Sequence, residues 1–541
     1  MSRNATGILT GRVGATAIAA IAILVAAPII AVIAGAFASD GGGLIFSGDA
    51  RYLRTTLLLC LFAGAGAGLI GALCAMLVSL ADFPGRRLLM VALALPFAIP
   101  AYVAAYAYGD LFGPFGAAAG IVGAGALPEI RSLPGAAFVL MLTTYPYVYL
   151  AMTASLSARS GAMIEAARAL GASPARASLE ILLTASRPAF FGGLALALME
   201  IAADYGVADF FGVPTLSVGI FRTWHGLGDL PGAMQLAAGL FLVALLLVVM
   251  ESASRKGKAS EDARSSRSRK RIKLSPAHGA LAAAICALPV LFGFIAPAGV
   301  LVAKLDPQMS SVVTRNLAAA GVNTAMIAAA GAALAMILSL LLAYGERTSR
   351  GPVVGLALRA ATMGYAISGA VMAIGVLALS ASFARISGHA VAGGVAVLLY
   401  AYVARFLTAG YNATAGGLAQ ISPQMDGAAR MLGAGAPRIL AGVHWPLAQR
   451  SLLAGAAIVA VDIAKELPAT LILRPFNFET LSTQIYRLAS DERLADAAPA
   501  ALILIALGLL PSLALSLIAS SGEEKARKRD TLAGLETTIA S

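Results

Sequence analysis

Charge is scarce in this chain: Asp, Glu, Lys and Arg together make up only 12% of its 541 residues, too few for the water-facing surface of a multidomain soluble enzyme. Cysteine is nearly missing. Cys60, Cys74 and Cys286 all lie in apolar stretches, so they give no disulfide framework and no metal-ligand spacing, and they read as small core residues. The four histidines, His225, His278, His389 and His444, are scattered and form no motif. No Ser-His arrangement or H-E-x-x-H segment supports an enzyme embedded in a membrane. What the chain has in excess is apolar length, with 59% hydrophobic residues and a mean hydropathy of +0.84. Its 57 glycines sit with alanine inside those runs, as small residues do where membrane helices approach closely.

Crossing a bilayer takes about 20 apolar residues in a helix, and twelve runs meet that length. Six lie at Val13–Ala38, Thr55–Ala81, Leu88–Gly109, Ser132–Ala158, Ala189–Phe211 and Leu230–Met250. Six more lie at Pro276–Ala303, Asn316–Gly345, Ala360–Ala384, Ile386–Ala404, Ser451–Leu473 and Ala497–Ser520. The expected fold is therefore all-α, a polytopic membrane protein of about twelve spans. Most of the 39 Lys and Arg fall in alternate loops, which places both termini in the cytoplasm and accounts for the net charge of +12 without nucleic acid. The segment 251–275 is rich in Ser, Lys and Arg and reads as a basic cytoplasmic linker, and 523–541 as a cytoplasmic tail.

The sequence repeats itself. EAARALGAS (Glu165 to Ser173) recurs as GAARMLGAG (Gly427 to Gly435) at an offset of 262. Ala166, Ala167, Arg168, Leu170 and Gly171 thereby match Ala428, Ala429, Arg430, Leu432 and Gly433, and Gly193, Ile201 and Ala202 match Gly455, Ile463 and Ala464. The match resumes at an offset of 265, where Thr215, Leu216, Ser217, Ile220 and Arg222 meet Thr480, Leu481, Ser482, Ile485 and Arg487. With six spans in each copy, the halves 1–250 and 276–522 are expected to be parallel repeats, with a two-fold path between them as the natural consequence.

The repeated segments lie in long loops, 159–188 and 420–450, on the side assigned to the cytoplasm. Glu165, Arg168 and Ala169 occupy one face of a short helix, and Gly171 permits the sharp turn that follows. On these residues the chain resembles the inner-membrane permease components of binding-protein-dependent ATP-binding-cassette (ABC) importers, whose cytoplasmic loop carries EAA followed four residues later by Gly. The resemblance implies the type I ABC importer transmembrane fold and loops that dock into two ATPase subunits. It assigns the coupling contacts to Glu165, Ala166, Ala167, Arg168 and Gly171, and in the second copy to Asp426, Ala428, Ala429, Arg430 and Gly433. The second copy departs from the pattern: Gly427 stands where the family has Glu, with Asp426 one residue earlier, so either the acidic contact has shifted or that half docks differently. Within the family, ADYGVADFFGVPTLSVGIFRTW (Ala203 to Trp224) and KELPATLILRPFNFETLSTQIYRLASDERLADAA (Lys465 to Ala498) are similar to fused, double-length ferric-iron permeases. Permeases for thiamine, polyamines or phosphonates share the loops and stay open as alternatives.

The resemblance further implies a bacterial inner-membrane location, a periplasmic substrate-binding protein as partner, and ATP with magnesium on the ATPase subunits. The chain itself has no G-x-x-x-x-G-K-[ST] loop, and no cofactor is expected in it. Glu200 and Asp204 in the fifth run match Asp462 and Glu466 in the eleventh, and charges inside a membrane are functional candidates. They either line a cation path, where carboxylate oxygens suit hard ferric iron, or cap bends near Gly206 and Pro468. Arg222 and Arg487 lie in matching outer loops, as contacts for the binding protein or as interface anchors. An ion-driven secondary transporter would explain the repeat and the acids but leaves the paired loops without a purpose.

Overall fold

Apolar runs with every backbone group bonded internally become helices, and the computed structural model is built almost wholly from them. It describes residues 2–38, 50–114, 116–123, 125, 127–169, 186–255, 272–306, 310–349, 351–364, 367–388 and 394–511. Among the described residues nine helices are long and apolar enough to cross a membrane, and ten if one sharply bent pair counts as a span. Large apolar side chains stay exposed along them, as at Ile23, Ile30 and Phe37, or Leu57 and Leu61, spaced to share a helix face. Hydrocarbon rather than water is the solvent that suits such stripes. Cys74 and Cys286 are buried and Cys60 is half-buried, in keeping with core packing.

Three expected spans are corrected, and in one of them, Ser451–Leu473, the helix Trp445–Lys465 stops at Glu466 and a short helix Pro468–Leu473 follows. Over Leu88–Gly109 the chain forms Arg86–Ala98 and Ala101–Leu111, bent by 91°. Proline explains the break: Pro96 and Pro100 each lack an N–H, and Pro100 pushes Ile99 into extended backbone (φ −87°, ψ 122°). Over Ala189–Phe211 the helix Arg187–Ala203 stops at Asp204, and a short helix Gly206–Phe210 follows. The tenth run also shifts, because its helix spans Val395–Ala419 and carries Arg405.

Close contacts group the chain into two units, each drawn from both halves of the sequence. One unit comprises Met1–Tyr52, Leu216–Leu242 and Gln308–Arg487. In it Ser311–Thr348, Val395–Ala419 and Trp445–Lys465 pack together, and the N-terminal helix Ser2–Ala38 lies against Ser311–Thr348, Pro352–Ala361 and Gly369–Ser387. Tyr400 fixes this contact by donating its hydroxyl to Leu24 O at 2.6 Å.

The other unit comprises Leu53–Thr215, Val243–Pro307 and Leu488–Ser541. Its core gathers Ala67, Cys74, Val78, Tyr145, Tyr149, Met152 and Cys286. Tyr145 and Tyr149 donate to Leu93 O and Met90 O, both at 2.8 Å, and so tie the bent segment to Leu133–Ala169. A two-residue parallel strand pair, Ala81 with Ile272 and Asp82 with Lys273, joins the end of Ala50–Leu80 to the start of Pro276–Val290.

The repeat of the sequence is a repeat of backbone geometry. Asp204 (φ −62°, ψ 130°) and Glu466 (φ −67°, ψ 123°) end their helices in the same conformation. Tyr205 (φ −108°, ψ −46°) and Leu467 (φ −110°, ψ −57°) then open the short helices Gly206–Phe210 and Pro468–Leu473. At the second offset, Gly212 (φ 69°) and Asn477 (φ 61°) are both left-handed, and Asn is among the few residues other than Gly that accept this conformation.

Candidate functional site

The backbone of the second repeated loop is described throughout. Ser422 caps the helix Pro423–Met431 by accepting from Gln424 N, and Pro423 at its first position needs no N–H partner. The helix ends in a Schellman turn, with Ala434 N on Ala429 O and Gly433 N on Arg430 O, each at 3.0 Å. That closure puts Gly433 at φ 83°, as its spacing in the sequence suggests. Met425, Met431 and Leu432 are exposed around the turn, giving an apolar knob on a polar loop.

Asp426 does not join that knob. It is turned inward and buried, with Oδ2 accepting from Arg347 Nε and Oδ1 from His444 Nε2, both at 2.8 Å. A carboxylate only accepts here, so His444 carries its proton on Nε2. Burial pushes the Asp426 carboxyl up, but the hydrogen bonds and charge of His444 and Arg347 outweigh it and hold the group below the ordinary carboxylate range. Arg347 also donates to Leu418 O and Ile421 O, at the end of Val395–Ala419. Of the two readings of this copy, a shifted acidic contact or a half that docks differently, the inward turn of Asp426 favours the second, because both of its oxygens accept bonds within the chain. Ala428 and Arg430 are exposed and Ala429 is half-buried.

In the first loop the helix Leu133–Ala169 runs through Glu165, Ala166, Ala167 and Arg168. Their side chains, and Gly171, lie outside the described residues.

A Cβ built at Gly433 meets nothing within 4 Å, so any substitution penalty inside the protein comes from the backbone alone. Gly433→Val is expected to strain the turn by about 1–2 kcal/mol, and Gly433→Asn by less. If the loop couples to a partner, Asn should keep most transport and Val should lose it. Full-rate transport by the Val variant would show that this loop is not a working coupling element.

Two of the four intramembrane acids, Asp204 and Glu466, cap the short helices that follow them. Asp204 Oδ1 accepts from Val207 N at 3.0 Å and Ala208 N at 3.3 Å, and Glu466 Oε1 accepts from Ala469 N at 3.3 Å. This is the second of the two sequence readings. The halves then differ, because Glu466 also pairs with Arg405, both of them buried or nearly so. The carbonyl of Glu466 accepts from Thr470 Oγ1 at 2.7 Å and Ser482 Oγ at 2.8 Å, and Tyr402 closes the cluster on Thr470. Gly369 leaves the space this pair fills, since a Cβ there would land on Glu466 Oε1 and on the Arg405 guanidinium. In the first half Thr143 stands at the repeat position of Arg405, and Asp204 has no basic partner among the described residues. Glu200 is exposed and Asp462 half-buried, one turn earlier. Among the described residues no three His, Cys, Asp or Glu side chains converge as a metal site.

Of the two outer arginines, Arg222 is exposed at the start of the irregular turn Arg222–Gly226. Arg487 grips Glu479 with two donors, at 2.9 and 3.2 Å, while Arg474 reaches the same carboxylate at 3.5 Å. Beside them Phe476 stands almost fully exposed on the loop before Asn477.

Sequence reasoning singled out neither Arg347 nor His444, neither Arg405 nor Gly369. Arg405 had a signal, since an arginine inside an apolar run needs an acid. Nothing in the sequence links Arg347 to an aspartate 79 positions away.

Comparison with known proteins agrees with the resemblance drawn from the loops. Residues 67–255 match the family described as binding-protein-dependent transport system inner membrane component. The chain is 24% identical over 474 residues to "Fe(3+)-transport system permease protein FbpB 2" of Haemophilus influenzae, covering 85% of this chain and 88% of that protein. It is 27% identical over 201 residues to "Sulfate transport system permease protein CysT" of Salmonella typhimurium, covering 36% of this chain and 72% of that one. It is also 27% identical over 166 residues to "Putative 2-aminoethylphosphonate transport system permease protein PhnU" of the same species, covering 30% and 58%.

Proposed function

We propose that this multi-pass membrane protein, similar along most of its length to a named permease, is the transmembrane subunit of an ABC importer that carries ferric iron inward across a bacterial inner membrane. Both termini face the cytoplasm in this reading, and the repeats 1–250 and 276–522 supply the two halves that other importers build from two chains. The loops 159–188 and 420–450 dock two ATPase subunits, which hold the ATP and magnesium. A periplasmic binding protein delivers the substrate near Arg222 and Arg487. The chain performs no covalent chemistry.

The observation that carries the reading is the repeated unit itself: in the sequence a long loop with Ala-Ala-Arg-x-Leu-Gly at matching positions, and in the structure a helix broken at an acid, in both halves. The second loop fits docking because its helix leaves Met425, Met431 and Leu432 exposed around a fixed turn, the kind of apolar anchor that buries into a partner's cleft. Ferric iron is favoured over sulfate and 2-aminoethylphosphonate because the iron permease is matched over most of both chains, and the sulfate and phosphonate permeases over about a third of this one.

The test is uptake of radiolabelled ferric iron into cells lacking the chain, with and without the gene restored, beside sulfate, a phosphonate, thiamine and a polyamine. Iron uptake should return, collapse when ATP is depleted and survive loss of the ion gradient alone. Uptake of another of these substrates in place of iron would remove the iron assignment and keep the importer. Uptake that follows the gradient would remove the importer.

A further inference from the structure

The clamp around Asp426 joins more elements than the loop itself needs. Arg347 closes the helix Ser311–Thr348 and spends three N–H groups on three acceptors: the Asp426 carboxylate, Leu418 O and Ile421 O. The two carbonyls belong to the last turn of Val395–Ala419 and the link that follows it. Helix ends leave such carbonyls without partners, and an arginine is suited to take them while pairing with a carboxylate. His444 sits where the chain passes into the helix Trp445–Lys465 and has its ring edge against Tyr344, on the turn before Arg347. Beneath these groups Ala343, Leu418, Ile421, Ala448 and Leu452 form an apolar cluster from the same helices. The short helix that carries Asp426 is therefore bonded to Arg347 and His444 at the ends of two long helices, and through Arg347 to the end of a third.

At the positions 262 residues before Asp426 and His444 stand Ile164 and Leu182, which cannot make the same bonds to each other. Conversely, the acid of the first loop, Glu165, has Gly427 as its counterpart.

We propose that Asp426 is a positioning residue: held by Arg347 and His444, it makes the second coupling helix and the ends of three membrane helices move as one body, and it does not bind the ATPase. The inference rests on the permease reading above. The second loop then transmits motion through an internal clamp.

The test uses the whole chain with its ATPase subunits and binding protein in lipid vesicles, and reads three quantities: ATPase retained on the purified chain, ATP hydrolysed, and ferric iron moved per ATP. For Asp426→Asn the expected result is ATPase retention within twofold of the unaltered chain and a fall of at least fivefold in iron moved per ATP. Arg347→Lys should fall as far although it keeps its charge, since an ammonium cannot reach the three acceptors in the geometry of a guanidinium. His444→Gln, which still offers an N–H to Asp426, should keep most of the coupling, and His444→Leu should lose it. Loss of the ATPase from Asp426→Asn would make Asp426 a docking contact and overturn the proposal, as would unchanged iron per ATP. Where Asp426→Asn fails to accumulate in the membrane, the histidine pair decides, and equal coupling in the Gln and Leu variants overturns it. An unaltered chain that retains no ATPase, or that moves no iron, would instead overturn the permease or the iron reading before any variant is compared.

Discussion

Glu466→Gln is expected to lower the thermal unfolding midpoint of the purified chain sharply, because it strands the Arg405 guanidinium without a counter-charge. Only about a tenth of the arginine side chain, at 13%, and almost none of the glutamate, at 1%, is exposed. Removing one partner of such a pair typically costs about 3–5 kcal/mol, whereas replacing both with apolar residues of similar volume is often neutral. Arg405→Met with Glu466→Leu should therefore be more stable than Glu466→Gln alone, short of the original by the cap lost at Ala469 N, about 1 kcal/mol. Equal midpoints for the single variant and the original would refute the buried pair.

Asp204 gives the contrast. Its carboxylate caps two amides and has no basic partner among the described residues, so Asp204→Asn, which keeps a capping oxygen, should be tolerated. If Asp204 is instead a ligand on a cation path, the Asn variant loses uptake while remaining folded. One pair of measurements, midpoint and uptake, thus separates the two sequence readings of these acids.

Gly193→Ile is the second large effect expected. A Cβ at Gly193 would lie 2.8 Å from both Tyr147 O and Val148 Cα, and backbone atoms cannot rotate away. The helices Leu133–Ala169 and Arg187–Ala203 would have to part, at a cost of about 1–3 kcal/mol or more. Even Gly193→Ala should destabilise. Its repeat partner Gly455 meets Ala413 Cβ at 2.6 Å and the flexible end of Met336 at 3.4 Å, so the same close approach recurs in the second half. Gly416 is the control: a Cβ there meets nothing within 4 Å, and Gly416→Ala inside the helix Val395–Ala419 should leave stability unchanged or raise it by about 0.5–1 kcal/mol. Thermal midpoints of the three variants check the series, and a neutral Gly193→Ile would mean that the helices are not packed at this glycine.

Much of the candidate site could be read from residues near one another in the chain. Gly433 follows its helix by two positions, and a left-handed glycine turn is decided by those few residues. Asp204 and Glu466 precede by three or four residues the amides they cap, so their capping role was accessible as an alternative to a cation path. The three broken spans were hidden behind their apolarity. Pro96 and Pro100 in one, and an acid four residues after another in the other two, interrupt the hydrogen-bond ladder without lowering the apolar content enough to mark the break. Asp426 misled because the family pattern puts an acid near that place, and the pattern carries no information about which way a side chain turns.

What the sequence determined by itself was set by local terms: apolar length fixed the helices that can cross a membrane, the 262-residue offset fixed the repeat, and turn residues fixed the glycine and asparagine with positive φ. What only the tertiary structure decided was partnership between distant residues. Glu466 finds Arg405 across 61 positions, Asp426 finds Arg347 across 79, and the N-terminal helix packs on helices from the second half of the chain. The physical reason is that a buried charge must be compensated wherever the fold brings an opposite charge or a helix end to it, and burial depends on all the helices at once rather than on the run in which the charge lies.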